Sequence, residues 1–180
     1  MSNPNANLRA ALRLQHVPRW GIIPTVKKQT VAEHSHGVAA IALWLVEFSE
    51  NPIFDKGDVL EYAITHDKWE AVTGDIPAVA KHRGVVADNT PKSEVKLSTR
   101  MVVKLADYME ALNFLRTEEV FGNKMAEGPF NYVFQGACTF YDDEPFFLGA
   151  FRLGSFRELW GQFRPVASPL VHPGMQKDME

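Results

Sequence analysis

An all-α fold is what this sequence predicts, and three observations carry the prediction. Apolar residues recur at helical spacing through most of the chain. Helix starts are signalled by Thr30 with Glu33 three residues later, a capping-box pair, and by Asp58 ahead of an apolar run. Proline and glycine punctuate the boundaries, as in Pro18 to Pro24, Asn51-Pro52 and Gly74.

Each element follows in order. Leu8, Ala11 and Leu12 define a short first helix over 8–14. His16 to Pro24 sets two prolines and a glycine around Trp20, so this stretch is a loop of fixed shape. From Thr30 a helix runs to about Ser49; it is apolar on most faces and therefore central. Asn51-Pro52 ends it, and Asp58 starts a helix that carries His66, Asp67 and Glu70 and is closed by Gly74. Asp75 is the N-cap of a short helix with Pro77 in its first turn, and residues 84–91 read as an exposed linker. A long helix runs from Ser93 to about Leu115, with Val95, Val102, Leu105, Met109 and Leu112 on a buried stripe. The segment beyond it is rich in aromatics, from Phe130 to Phe163. One or two helices are expected there, with some rings left over for a subunit interface. The tail after Pro165 reads as irregular.

A chain of 180 residues suits one domain with a real core. Its 46% hydrophobic and 23% charged residues are ordinary for a globular protein. A net charge of -3 and a pI near 6.1 argue against a general nucleic-acid binder, which would carry a basic stripe. The single cysteine, Cys138, excludes an intramolecular disulfide and reads as a small core residue of a protein in a reducing compartment. The polar start Ser2-Asn3-Pro4-Asn5 has no secretory character, and the longest apolar run, Val38 to Val46, is too short for a bilayer. A cytoplasmic protein without membrane partners is expected.

The most informative residues are the pair His66-Asp67, with Glu70 one turn on. His34 and Asp107 sit in two other apolar segments that must pack near it. Burying two imidazoles and two carboxylates makes sense if a divalent cation lies among them. On pattern alone, hydrogen-bonded core histidines and an exposed Asp107 explain the same residues equally well. A site of two histidines and two aspartates suits Co, Mn, Fe or Zn, and the sequence does not choose among them. His36 points away from His34 on a helix and is not expected on the same ion.

His34, His66-Asp67 and Asp107, in that order on three helices, resemble the HD-domain metal-dependent phosphohydrolases. Pro18-Arg19-Trp20, Val31-Ala32-Glu33-His34-Ser35, the run from His66 to Pro77 and Lys104-Leu105-Ala106-Asp107 are similar to the 5'-deoxyribonucleotidase family within them. The compact size and the Arg-Trp-Gly-Ile loop resemble its phage branch, the dATP triphosphohydrolases (DatZ-like). The motifs cover about residues 10–115. The aromatic-rich segment 116–165 and the tail 166–180 lie outside them, and residues 1–180 are read as a single domain. The resemblance implies a compact HD-type helical bundle, a homo-oligomer, and a metal held by His34, His66, Asp67 and Asp107. A triphosphate substrate would bring additional Mg or Mn.

The resemblance also assigns roles. Glu70 is the catalytic acid or base beside the metal, where the bare reading is an ordinary exposed helix acid. Arg19 has a fork suited to phosphate oxygens, in a loop braced by prolines. Trp20 would crowd the sugar 2' position and so favour deoxyribose; Asp75 would bind the 3'-hydroxyl. Ile22 would face the base, where an apolar wall disfavours a 2-amino group and so favours adenine over guanine. Lys81 would meet the outer phosphates, with His82 and Arg83 as weaker candidates. The function implied is hydrolysis of the 5' phosphoester of a deoxynucleotide, with dATP giving deoxyadenosine and triphosphate. The alternatives are a 5'-deoxynucleotidase confined to monophosphates and a non-enzymatic nucleotide-binding HD module. A phosphodiesterase on oligonucleotides would need a longer basic groove than the charge balance offers.

Overall fold

Helix α2 (Val31–Ser49) organises the molecule, because apolar side chains cover most of its circumference. The computed structural model describes residues 4–49, 51–77 and 95–163. Before α2 come α1 (Pro4–Arg13) and a short 3₁₀ turn (Leu14–His16); after it come α3 (Lys56–Thr65) and the single-turn α4 (Glu70–Thr73). The long α5 (Leu97–Val120) leads into α6 (Glu127–Asp142), α7 (Pro145–Phe151) and α8 (Phe156–Phe163). Among the described residues the only β pairing is an isolated antiparallel bridge between Pro18 and Thr30. It closes the neck of the loop that carries Arg19, Trp20 and Ile22.

The start of α2 has the capping box that Thr30 and Glu33 announce. The Glu33 N–H donates to Thr30 Oγ1 at 3.2 Å, and the Thr30 N–H donates to Glu33 Oε2 at 2.7 Å. Val38, Ala42 and Leu45 then bury completely against α3 and α5. Burial of each large apolar side chain contributes roughly 1.5–3 kcal/mol. The stripe on α5 is buried at Val102, Leu105, Met109 and Leu112, as its spacing requires. Cys138 is buried and unpaired in a disulfide sense, in keeping with a small core residue.

The structure differs from the sequence reading at five places. The first helix begins at Pro4, and Leu8 and Leu12 are exposed while Leu14 anchors the turn beneath it. The third helix starts two residues early at Lys56, because Asp55 and not Asp58 is the cap; its carboxylate accepts the Asp58 N–H. That helix ends at Thr65, so His66 to Trp69 form a turn and Glu70 opens a separate short helix. The long helix begins at Leu97, so Val95 of the expected stripe precedes it half-buried, and it runs on to Val120. The C-terminal segment forms three helices where one or two were expected, and its rings mostly fill this chain's own core. Tyr141, Phe147 and Phe156 are fully buried, and Tyr141 stacks on Phe147 with centroids 5.0 Å apart. The reading of residues 84–91 and of the tail falls outside the described residues. No described helix is long and apolar enough to cross a membrane.

Candidate metal centre

The turn after α3 brings two consecutive side chains to one point, which a continuous helix resists because neighbouring residues diverge by about 100°. Lys68 N–H donates to Thr65 O at 3.1 Å and Glu70 N–H to Asp67 O at 2.9 Å, so the turn is itself hydrogen-bonded. His66 Nδ1 lies 2.8 Å from Ala63 O. A carbonyl only accepts, so Nδ1 carries the proton and Nε2 presents its lone pair.

His34 is held the same way from the other side. It is fully buried on the second turn of α2, and its Nδ1 meets Glu110 Oε2 on α5. Its Nε2 therefore faces the His66 turn. One ligand atom each from His34, His66 and Asp67 lies within 4.8 Å of the others. Asp67 Oδ2 is 3.6 Å from His34 Nε2 and 3.2 Å from His66 Nε2. Asp107 stands outside that trio but adjoins it, with Oδ1 3.2 Å from His34 Nε2 and Oδ2 2.6 Å from Lys104 Nζ.

Both Nε2 atoms are buried without a hydrogen bond of acceptable geometry. Buried polar atoms of this kind are rare unless something binds them. Two imidazole nitrogens with their lone pairs turned toward two carboxylates are a donor set that fits a divalent transition metal. The electrostatics favour positive charge at the same point. Burial and the Arg19 guanidinium both depress the His34 imidazolium, yet Asp107 and Glu110 outweigh them and raise its pKa to about 9. Burial also opposes the charge on His66, and Asp67 overcomes it and raises the pKa. Asp67 is lowered in turn: burial works against the carboxylate and His66 prevails. Asp107 is lowered against its burial by Lys104 and His34. Protons and a cation compete for one pocket of negative potential.

Glu70 is buried at the start of α4, three residues past Asp67. Arg19 Nη1 lies 3.3 Å from Glu110 Oε2, and its guanidinium sits over the Trp20 ring at 5.2 Å. Trp20 has φ of 62°, a left-handed conformation unusual for a large residue. Three contacts hold it there. Its N–H donates to Asp75 Oδ2 at 3.1 Å, its indole Nε1–H donates to Gln29 Oε1 at 2.8 Å, and its ring stacks on Phe114 at 5.3 Å. Ile22, on the same loop, is 67% exposed. Asp75 thus lies beside Trp20 and is not an N-cap as expected, since Ile76 and Pro77 after it are not helical; Lys81, His82 and Arg83 lie outside the described residues. His36 is exposed and turned away from the trio.

Two residues at the centre were missed from sequence. Glu110 joins His34, Arg19 and Gln29, and Gln29 joins Glu110 to Trp20. The signal for Glu110 was an acid three residues after Asp107 on the buried side of an apolar helix. Gln29 carried no comparable signal.

A family model described as 5'-deoxynucleotidase YfbR-like matches residues 8–111, which include Arg19, Trp20, His34, His66, Asp67, Glu70, Asp75, Asp107 and Glu110. The chain belongs to that family. Among YfbR-like relatives, it is 32% identical over 125 residues to a dATP triphosphohydrolase of Salmonella phage PMBT28, covering 59% of this chain and 64% of that one. It is 30% identical over 117 residues to a dATP triphosphohydrolase of Cyanophage S-2L, covering 58% of this chain and 67% of that one. The chain therefore matches a little under two thirds of the Salmonella phage protein's length. In fold it is similar to the Cyanophage S-2L HD phosphohydrolase, solved with dA and one catalytic zinc ion. The TM-score is 0.59 at 23% identity, over 76% of this chain and 83% of that one. The HD-type helical bundle expected of this YfbR-like chain is the fold it has.

Proposed function

We propose that this protein hydrolyses the 5' phosphoester of a deoxynucleotide in a metal-dependent reaction, with dATP giving deoxyadenosine and triphosphate. One observation carries the reading: His34, His66 and Asp67 converge within 4.8 Å on two buried, unbonded Nε2 atoms. The matches to phage dATP triphosphohydrolases support dATP as the first substrate to try.

His34, His66, Asp67 and Asp107 would hold the metal, which supplies a Lewis acid for a phosphate oxygen and a lowered pKa for a bound water. Zn, Co, Mn or Fe would serve with this mixed nitrogen and oxygen set; the zinc of the Cyanophage S-2L neighbour makes zinc the first choice. Mg or Mn would accompany the triphosphate. Arg19 orients the phosphate with the guanidinium N–H groups that Glu110 leaves open. Glu70 takes the proton of the attacking water and passes it toward O5' as the P–O5' bond breaks. Trp20 closes off the sugar 2' position, and the Asp75 carboxylate beside it accepts from the 3'-hydroxyl. Ile22 faces the base, and Lys81 meets the outer phosphates. The protein works in the cytoplasm, that of the host if the chain is of phage origin, as a homo-oligomer of one HD-type domain per chain.

The test is incubation of zinc-, cobalt- or manganese-loaded protein with the four deoxynucleoside triphosphates, dAMP and ATP, with products identified. Deoxyadenosine and free triphosphate from dATP are expected, with ATP spared. Turnover confined to dAMP would make it a 5'-deoxynucleotidase. Binding of nucleotides without any turnover would leave the non-enzymatic module.

A further inference from the structure

We infer that Glu110 is the positioning residue that ties the metal centre to the two substrate contacts, so that one carboxylate sets His34, Arg19 and Trp20 together. The inference rests on the proposed reading of His34 as a metal ligand and of Arg19 and Trp20 as phosphate and sugar contacts.

The geometry is a branched network from a single buried group. Glu110 Oε2 accepts from His34 Nδ1 and, at 3.3 Å, from Arg19 Nη1. Glu110 Oε1 accepts from Gln29 Nε2 at 2.7 Å, and Gln29 Oε1 accepts from the Trp20 indole at 2.8 Å. Every member has a defined direction. A carboxylate only accepts, so the Glu110 contact keeps a proton on His34 Nδ1, and a cation bound among the ligands would take Nε2. The same constraint orients the Gln29 amide with its nitrogen toward Glu110 and its oxygen toward Trp20. Glu110 also places a negative charge beside the Arg19 guanidinium, which offsets the repulsion between that guanidinium and a cation at the ligands.

A second, independent feature points to the same residue. Gly37 lies one turn past His34 in the interior of α2, where glycine weakens a helix. A Cβ at Gly37 would come within 2.7 Å of Glu110 Cγ and 3.3 Å of Glu110 Oε1. The contact is with the near part of the side chain, so the carboxylate would have to move. Glycine at 37 makes the room in which Glu110 reaches His34.

Three variants separate this role from general packing. E110Q keeps the shape and removes the charge and one acceptor; its affinity for zinc, titrated against a chromophoric chelator, is expected to fall about 10–100-fold. G37A substitutes no network residue but displaces the Glu110 carboxylate, and should lower zinc affinity in the same direction, which keeps the test valid if E110Q does not fold. Q29M should leave zinc affinity unchanged. It should lower the preference for binding deoxyadenosine over adenosine on the order of 10-fold, the equivalent of one hydrogen bond of about 1.4 kcal/mol. In turnover, Q29M raises KM for the deoxynucleotide while kcat holds, and E110Q alters both. Folded E110Q and G37A with wild-type zinc affinity would overturn the inference, as would Q29M losing zinc as E110Q does. A wild-type protein that turns over no nucleotide defeats the proposed activity alone, since the zinc and nucleoside titrations still decide the role of Glu110.

Discussion

Replacing Glu118 measures how firmly the loop that carries Arg19 and Trp20 is built. The Glu118 side chain is 1% exposed on α5, and its carboxylate takes three donors from outside that helix's own ladder. Oε2 accepts the Val26 N–H at 2.6 Å and Asn123 Nδ2 at 2.8 Å, while Oε1 accepts the Lys27 N–H at 2.8 Å. Asn123 Nδ2 also donates to Pro24 O at 2.8 Å, so the returning arm of the loop is tied at Pro24, Val26 and Lys27. Hydrogen bonds to a charged group contribute roughly 1.5–3 kcal/mol each, and a buried donor left unpaired costs about as much. Val26 and Lys27 are exposed, so water replaces part of the loss and the low end applies. E118Q keeps one oxygen acceptor and should cost about 1.5 kcal/mol, whereas E118A loses all three bonds and should cost about 3–4 kcal/mol. Burial pushes the Glu118 carboxyl up, yet Asn123 and the two backbone N–H groups prevail and hold it below the ordinary range. A carboxyl lowered in the folded state stabilises fully above its unfolded pKa of about 4.3 and loses that contribution as pH falls through the folded value. The gap between wild type and E118Q should therefore be full near neutrality and shrink in acid. Urea denaturation across that pH window reads both effects. An E118A protein within about 0.5 kcal/mol of wild type at neutral pH would refute the reasoning.

Three further outcomes follow from the same structure. E70Q should abolish release of the deoxynucleoside from dATP while nucleotide binding, read by calorimetry, persists; undiminished turnover would remove Glu70 from the chemistry. H66A should weaken zinc binding at least about 100-fold, measured as metal retained after dialysis, because it deletes one of the two buried Nε2 donors. F147A should lower stability to urea by about 3–5 kcal/mol, since Phe147 is fully buried and packs on Tyr141 and Phe140; a loss under about 1 kcal/mol would place the C-terminal helices outside the core.

Much of the architecture was legible because its signals are local. Thr30 and Glu33 both mark and make the start of α2, and the apolar stripe on α5 reports its burial directly. His34, His66 and Asp67 were legible as a set only in combination, since each alone is an ordinary residue. The end of α3 was not legible. His66, Asp67, Lys68 and Trp69 contain no glycine or proline, and nothing in their propensities forbids a helix through them. The break is held by short-range bonds that propensity does not announce, from His66 to Ala63 O and within the turn that follows. The packing of the C-terminal rings was not legible either, because α6, α7 and α8 fold most of them onto one another, with Phe147 meeting Tyr141, Phe140, Phe146 and Phe151, while Phe121 and Tyr132 stay exposed.

The break at Thr65 also explains why the site lies where it does. On an unbroken helix His66 and Asp67 would diverge, and only one of them would face His34. The turn lets both converge, and it delivers Glu70 to the head of a new helix within the same short segment. The opposite wall is α5, where Asp107 and Glu110 share a face three residues apart and take opposite sides of the His34 ring. His34 thereby lies between two carboxylates, Glu110 at Nδ1 and Asp107 at Nε2, which together raise its pKa. The Trp20 loop adds a third wall, held in a left-handed conformation by Asp75, Gln29 and Phe114. Strain of about 1–3 kcal/mol at such a residue persists only where its surroundings over-determine it. Here the residues that impose the strain include Gln29, which hangs from Glu110, and Asp75, which follows directly on the His66 segment. The candidate metal centre and the loop are thus braced by the same few side chains, so a change in one is expected to register in the other.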